Sequence, residues 1–287
     1  MIHVKQLEYC SLNEVLEAWN EGFKGYVADL HMDTDAFLKR TVQEKLSPRY
    51  SHVAFDDAKP IGILVSGIKE RGGIKTSWNG GTGVHPDYRD QGVGHKLVEA
   101  SLKLYEQENV ELATLEAVSD NDPAIHLYEK HGYIVEDHLS ILQHNGQIHS
   151  TFEIRLLEKQ LSPEHLSQIG WYPVKLPWQC HEDQAGEMFI RGFYKGEELI
   201  GYTVQKKQEE YGELSRIAVY QLEMNPAYQG DEPLIQAFLN QALYADKNLK
   251  RTIINVRHSN ALFEPVLSLG FQEAFKQVWM LQTLNNK

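Results

Sequence analysis

The chain has 287 residues, 42% of them hydrophobic and 24% charged, and its 28 Lys and Arg against 40 Asp and Glu give a formal charge of -12. That length favours two domains, each able to bury an ordinary core. The charge disfavours a nucleic-acid surface, which needs clustered basic residues. The two cysteines, Cys10 and Cys180, lie too far apart for a disulfide framework or a thiolate zinc site. No signal-peptide pattern opens the chain and no stretch approaches ~20 apolar residues, so a cytoplasmic protein without membrane contact is expected.

In chain order, the pattern predicts a strand over "IHVKQLEY", helical segments over Val15 to Phe23 and Ala36 to Val42, and a hairpin of "SHVAF" and "PIGILVSGI" around Asp56 and Asp57. "IKTSWNGGTGV" reads as a strand rich in glycine at its far end. Val93, Leu97, Ala100 and Leu104 then recur at helical spacing, in a helix that begins at glycines. "VELATLEAV" reads as a buried strand. "DNDPAIHLYEKHG" reads as a short helix with Asn121 or Asp122 near its cap, Pro123 in its first turn and Gly132 as its stop. A hairpin turning at Asn145-Gly146, between "LSILQH" and "QIHSTFEIRLL", is expected to close a first domain over 1–157.

Landmarks of the first part return in order through 158–287. Ile61-Gly62 recurs as Ile200-Gly201, Pro86 and Tyr88 as Pro226 and Tyr228, Asn121 as Asn260, and Gly132-Tyr133 as Gly270-Phe271. All lie about 140 residues apart, which points to an internal duplication.

The stretch "HPDYRDQGVGHK" joins a strand to a helix. Backbone N–H groups at such a junction have no partner, and the helix dipole favours negative charge there. Glycine at 92 and 94 lets an anion approach those donors, and Arg89 adds charge. Neither G-x-x-x-x-G-K-[ST] nor G-x-G-x-x-G fits, since His95 and Lys96 follow Gly94 and position 97 is Leu97.

Arg89-Asp90-Gln91-Gly92-Val93-Gly94 is similar to the pyrophosphate motif [RQ]-x-x-G-x-[GA] of the GNAT-type N-acetyltransferases, and Asn121 to Tyr133 resembles that family's N-x-x-A-x-x-L-Y-E-K-x-G-[FY] hallmark. The resemblance covers most of 1–157. It implies an α/β fold, here two tandem GNAT-like domains, each a central mixed sheet flanked by helices with splayed parallel strands. Acetyl-CoA is the implied co-substrate: Thr82 and Val84 would bond its pantetheine arm through their backbones, the amides from Gln91 through Val93 to His95 would hold its pyrophosphate, and Asn121 would join them. The implied partner is an amine acceptor, in a small molecule or a peptide.

Acetyl transfer needs a neutral amine, a stabilised oxyanion and a proton for the departing thiolate. By the resemblance Tyr128 is the general acid. Glu116, in "TLEAVSDN", resembles the proposed base of ribosomal-protein alanine N-acetyltransferases. Trp19, Phe23 and Tyr26 lie where such enzymes admit their acceptor, and Tyr26, Asp29 and Asp33 are the candidate acceptor rim, which would favour a cationic amine. "HMDTD" and "HEDQ" lack metal-ligand spacing, so no metal is expected. His85 and His95 flank the phosphate loop.

In the second copy Gln229, Glu232 and Leu234 stand where Arg89, Gly92 and Gly94 stand in the first, Leu267 replaces Tyr128, and Asn255 replaces Glu116. A degenerate, non-catalytic copy is expected. A sensory or scaffold module that binds coenzyme without turnover stays open as the alternative.

Overall fold

The computed structural model describes residues 1–26, 29–149, 154–183 and 188–284. The chain forms two compact units, Met1–Glu136 with Trp279–Lys287, and Asp137–Val278. This division falls at a different place from the expected boundary near Leu157, and it makes the first unit discontinuous in sequence.

In the first unit, strands β1 (Ile2–Gln6), β2 (His52–Asp56), β3 (Lys59–Arg71), β4 (Ile74–Val84) and β5 (Leu112–Val118) lie side by side in that order. All neighbouring pairs are antiparallel except β4 and β5, which run parallel. The end of the described chain lies beside β5, where Leu284 N–H donates to Glu111 C=O at 2.8 Å.

Helices α1 (Leu12–Gly22) and α2 (Thr34–Gln43) cover one face of this sheet. A reciprocal cap between Ser11 and Glu14 starts α1, and its buried Val15, Ala18 and Trp19 join Phe37, Val53, Phe55, Ile63 and Val65 in a core. Helix α3 (Val93–Gln107) packs on the sheet so closely that a Cβ on Gly62 would meet Val93 and Leu97 at 3.3 Å. Helix α4 (Asp122–Lys130) is capped by Asn121, whose side chain accepts from Ala124 N–H at 3.3 Å.

The second unit repeats this order. Strand β6 (Ile134–Gly146) crosses from one unit's segment to the next, followed by β7 (Leu157–Leu161), α5 (Pro163–Ser167), β8 (Phe189–Lys195), β9 (Glu198–Glu210) and β10 (Glu213–Met224). Then come α6 (Glu232–Ala242), β11 (Leu249–Arg257), α7 (Phe263–Ser268) and β12 (Gln272–Thr283). Both ends of β9 lie 139 residues after those of β3. Its neighbours match too: β9–β10 is antiparallel and β10–β11 parallel.

The likeness extends to single hydrogen bonds. His85 N–H donates to Ile61 C=O at 2.9 Å and Asn225 N–H to Ile200 C=O at 2.8 Å. The Tyr105 hydroxyl meets Ser66, and the Tyr244 hydroxyl accepts from Gln205.

Most sequence expectations match the observed elements, and β4 spans the predicted stretch. The hairpin at Asn145-Gly146 does not form. Residues 150–153 of its expected second strand lie outside the described residues, and β6 pairs antiparallel with β11, Gly146 opposite Leu249. The cause is long-range. Buried Arg251 donates to Gly146 C=O and to the carbonyls of Leu243, Tyr244, Lys247 and Leu249, which ties the end of β6 to the end of α6. Burial lowers the pKa of this arginine to about 10.

Arg251→Met would leave those carbonyls buried without a donor, at a cost of about 1–3 kcal/mol for each group that water fails to reach. Urea unfolding is expected to show a loss of about 3 kcal/mol or more; a loss within about 0.5 kcal/mol, as for a surface substitution, would contradict the clamp.

Candidate active site

Strands β4 and β5 pair over only four residues, from Thr76 opposite Leu112 to Asn79 opposite Leu115, and then part. The parting begins at a bulge in β4, where the register against β3 shifts between Val65/Gly81 and Ser66/Asn79. Asn79 holds the bulge: its side-chain Oδ1 accepts from Gly81 N–H at 3.0 Å and its side-chain amide donates to the Thr82 hydroxyl at 2.9 Å. Beyond it opens a cavity of about 760 Å³, bordered by β4 at Thr82 and Val84, by α3 at Val93, Gly94 and His95, and by α4 at Asn121 and Tyr128.

The start of α3 forms one wall. Gly92, at φ +79°, turns the chain into the helix with no side-chain cap, and the first helical bond is from Lys96 N–H to Gly92 C=O at 3.1 Å. The amides of Val93, Gly94 and His95 therefore have no acceptor among the described residues, and they lie at the positive end of a 15-residue helix. A Cβ on Gly94 would meet a terminal methyl of Leu127 at 3.0 Å, so glycine here lets the helix start lie close to α4 without displacing that side chain. Such a cradle fits the diphosphate of a coenzyme A ester.

Arg89 lines the cavity but does not point a free fork at it. Its Nε donates to Val84 C=O at 3.0 Å and its Nη2 to Lys24 C=O at 2.9 Å, which ties the loop after α1 to the end of β4. The cradle's attraction for anions thus rests on main-chain donors. Charged side chains of both signs line the rest, with Lys130 balanced by Asp90 and Asp120. Gln91 is not in the lining, and its amide donates back to Asp87 C=O. His85 also lies outside it: it is buried, accepts from Asp87 N–H and stands 3.5 Å from Glu21.

Tyr128 is buried at the inner end, with its hydroxyl 3.5 Å from the amide of Asn79. Burial raises its pKa, partly offset by hydrogen bonds from Thr82 and Asn79, so the hydroxyl carries its proton at neutral pH. Tyr26 also lines the cavity, near Asn121 and Tyr128, and burial raises its pKa as well, partly offset by Asn121.

Besides Gln91, three expected residues are not in the lining. Glu116 accepts from the Trp78 indole N–H at 2.6 Å. Asp29 accepts from His31 N–H, and Asp33 caps α2 by accepting from Ala36 N–H at 2.8 Å. The acidic acceptor rim therefore does not assemble around the cavity: of Tyr26, Asp29 and Asp33, only Tyr26 borders it. Val27 and Ala28, within the expected acceptor segment, lie outside the described residues. Sequence reasoning missed Asn79, although two glycines following it inside a strand pattern signal a bulge. It also missed His131, whose contact with His95 had no sequence signal. Among the described residues no three His, Cys, Asp or Glu group to hold a metal, and no helix is long and apolar enough to cross a membrane.

The second unit treats the same positions differently. Strands β10 and β11 also pair over four residues, Arg216 opposite Lys250 to Val219 opposite Ile253. The chain's own segment at Cys180 lies where they part. Its carbonyl accepts from Gln221 at 2.7 Å and its thiol donates to Ile254 C=O at 3.4 Å. The cavity left there is about 20 Å³. At the start of α6 the Asp231 carboxylate accepts from Leu234 N–H at 3.1 Å, and Leu234 is fully buried. Counted from the helix caps, Asp231 stands where the first unit has Gly92 and Pro233 where it has Gly94, one residue before the Glu232 and Leu234 that the sequence spacing had paired with them, so an acid and a ring replace the open glycines.

Residues 12–133 match the model of the acetyltransferase (GNAT) family. No curated protein matches the chain significantly by sequence. Solved structures match along almost all of it. A GCN5-related N-acetyltransferase from Anabaena variabilis is 13% identical, with a TM-score of 0.63, over 99% of this chain and 73% of its own. Another from Sphaerobacter thermophilus is 10% identical, TM-score 0.61, over 98% and 95%. A putative acetyltransferase from Pyrococcus horikoshii is 12% identical, TM-score 0.60, over 99% and 89%. At these identities the likeness is one of fold, and it covers both units. The fold is of mixed α/β class. The segment 12–133 belongs to the GNAT family, and the chain is an acetyl-CoA-dependent N-acetyltransferase with acetyl-CoA as co-substrate.

The left-handed turn at Gly92 yields a stability prediction. Gly92→Ala, whose Cβ would meet open space, is expected to cost about 1–2 kcal/mol from backbone strain alone. Urea unfolding checks it, and an unchanged midpoint would contradict the αL assignment.

Proposed function

We propose that the first unit transfers the acetyl group of acetyl-CoA directly to an amine acceptor, with Tyr128 as general acid, and that the second unit is a non-catalytic copy. The observation that carries this reading is the single large cavity among the described residues that combines free helix-start amides, parted parallel strands and a buried tyrosine hydroxyl. Thr82 and Val84, beyond the last paired residues, present β4 to the pantetheine arm. The amides of Val93, Gly94 and His95 seat the diphosphate. Tyr128, neutral and protonated, gives its proton to the departing thiolate sulfur, and the resulting phenolate is relieved by the donors Thr82 and Asn79. Neither Cys10 nor Cys180 borders the cavity, which supports transfer without an acyl-cysteine intermediate.

Of the candidate acceptor residues, Tyr26 borders the cavity, which supports a role for it in meeting the acceptor. Glu116 follows the last paired residue of β5 and is the candidate base, although it does not border the cavity. Its bond from Trp78 offers a competing, purely structural role. Glu116→Gln separates the two, because the amide oxygen still accepts from the indole. A fall in kcat of about 10²-fold or more with unchanged folding supports the base; full activity assigns Glu116 to holding the strand.

Tyr128→Phe is expected to lower kcat about 10²–10⁴-fold, the usual range for a lost general acid, with coenzyme affinity changed only a few-fold. Release of free thiol across an amine library measures it, and wild-type turnover by the variant would remove Tyr128 from the reaction. Calorimetry should give one acetyl-CoA bound per chain. Two would contradict the reading of the second unit, and binding by wild type without turnover on any amine would favour a sensory module.

A further inference from the structure

The pair of imidazoles at the start of α3 has no part in the chemistry above. His95, in the cavity lining, places Nδ1 2.9 Å from Nε2 of His131, the C-cap of α4, with ring centroids 5.1 Å apart. Two imidazole nitrogens approach this closely only when one proton lies between them as N–H···N. The neutral pair holds two N–H groups, so one is in the bridge and one remains on an outer nitrogen. Adding a proton places an N–H on both outer nitrogens, Nε2 of His95 and Nδ1 of His131, and leaves a unit positive charge next to the unpartnered amides of Val93 and Gly94.

The surroundings set the resting state. Burial first, and His95 second, lower the pKa of His131 and so favour its neutral form, while the Glu99 carboxylate on α3 opposes them. Lys130 of α4 and the loop residues Arg89, Asp90 and Asp120 border the same cavity with both signs of charge. A phosphate bound beside the pair favours its cation over its neutral form, which is a proton-uptake linkage.

We propose that His95 and His131 form a proton-coupled phosphate site, taking up one proton from solvent as a phosphate group of the coenzyme binds. His131, which does not border the cavity itself, thereby acts through His95 as a positioning residue. The proposal rests on the coenzyme reading of the cavity. It predicts that affinity tightens as pH falls, by up to roughly tenfold per pH unit between the free and bound pKa of the pair.

The test is calorimetry of coenzyme A binding to the full chain at pH 6.5, 7.25 and 8, in buffers of different ionisation enthalpy, for wild type, His131→Gln and His95→Gln. The coenzyme's own phosphate titration is common to all three proteins, so the difference isolates the pair. The expected result is extra proton uptake by wild type and affinity at least threefold more pH-dependent than in either variant. 3′-Dephospho-coenzyme A distinguishes the two phosphate sources: linkage kept assigns the diphosphate, and linkage lost assigns the 3′-monoester. Equal proton uptake in wild type and in whichever variant folds, or linkage that persists with pantetheine, would overturn the proposal. Absence of any coenzyme binding by wild type would instead overturn the reading of the cavity on which it rests.

Discussion

The parting of two parallel strands is the constraint on which the site depends. Once β4 and β5 stop pairing, backbone groups at the centre of a sheet face open space, where burial without partners is costly. Two resolutions of that problem occur in one chain. In the first unit the opening is kept, with bulge-forming Asn79 on one side and the uncapped start of α3 on the other. In the second unit Cys180 and Gln221 close the equivalent opening with side-chain and main-chain bonds, and Asp231 caps the helix. A ligand with a long polar arm and a diphosphate end completes the first arrangement and is superfluous in the second.

This contrast explains why the motif glycines matter less for what they contact than for what they keep away. Gly92 allows the left-handed turn, and Gly94 keeps the helix start against Leu127 without widening the gap. The arginine of the same motif works differently from its sequence expectation. By bonding Val84 and Lys24 it fixes the walls of the cavity, so that direct electrostatic pull comes from amide dipoles rather than from a guanidinium.

Local signals in the sequence are legible because the physics behind them is local. The bounds of β4, the glycine start of α3 and the Asn121 cap of α4 follow from period and capping, which a few residues determine. The fate of β6 was not legible, since Arg251 and β11, more than a hundred residues away, decide where Gly146 goes. The same holds within the site. Asp29 and Asp33 looked like an acceptor rim by proximity in sequence, yet each carboxylate caps a local amide. His131 and Asn79 become visible only when α4 and β4 are brought together, because no short-range pattern links residue 95 to 131 or 79 to 128.

The central claim is that main-chain donors at the start of α3, and not those of α6, hold the negative end of acetyl-CoA. Amide chemical shifts followed by heteronuclear NMR during an acetyl-CoA titration test it most directly. The account predicts downfield proton shifts at Val93, Gly94 and His95 with Leu234 and Ile235 unmoved. Shifts at Leu234 and Ile235 equal to those at Val93 and Gly94, or no change at 93–95 with coenzyme bound, would contradict it.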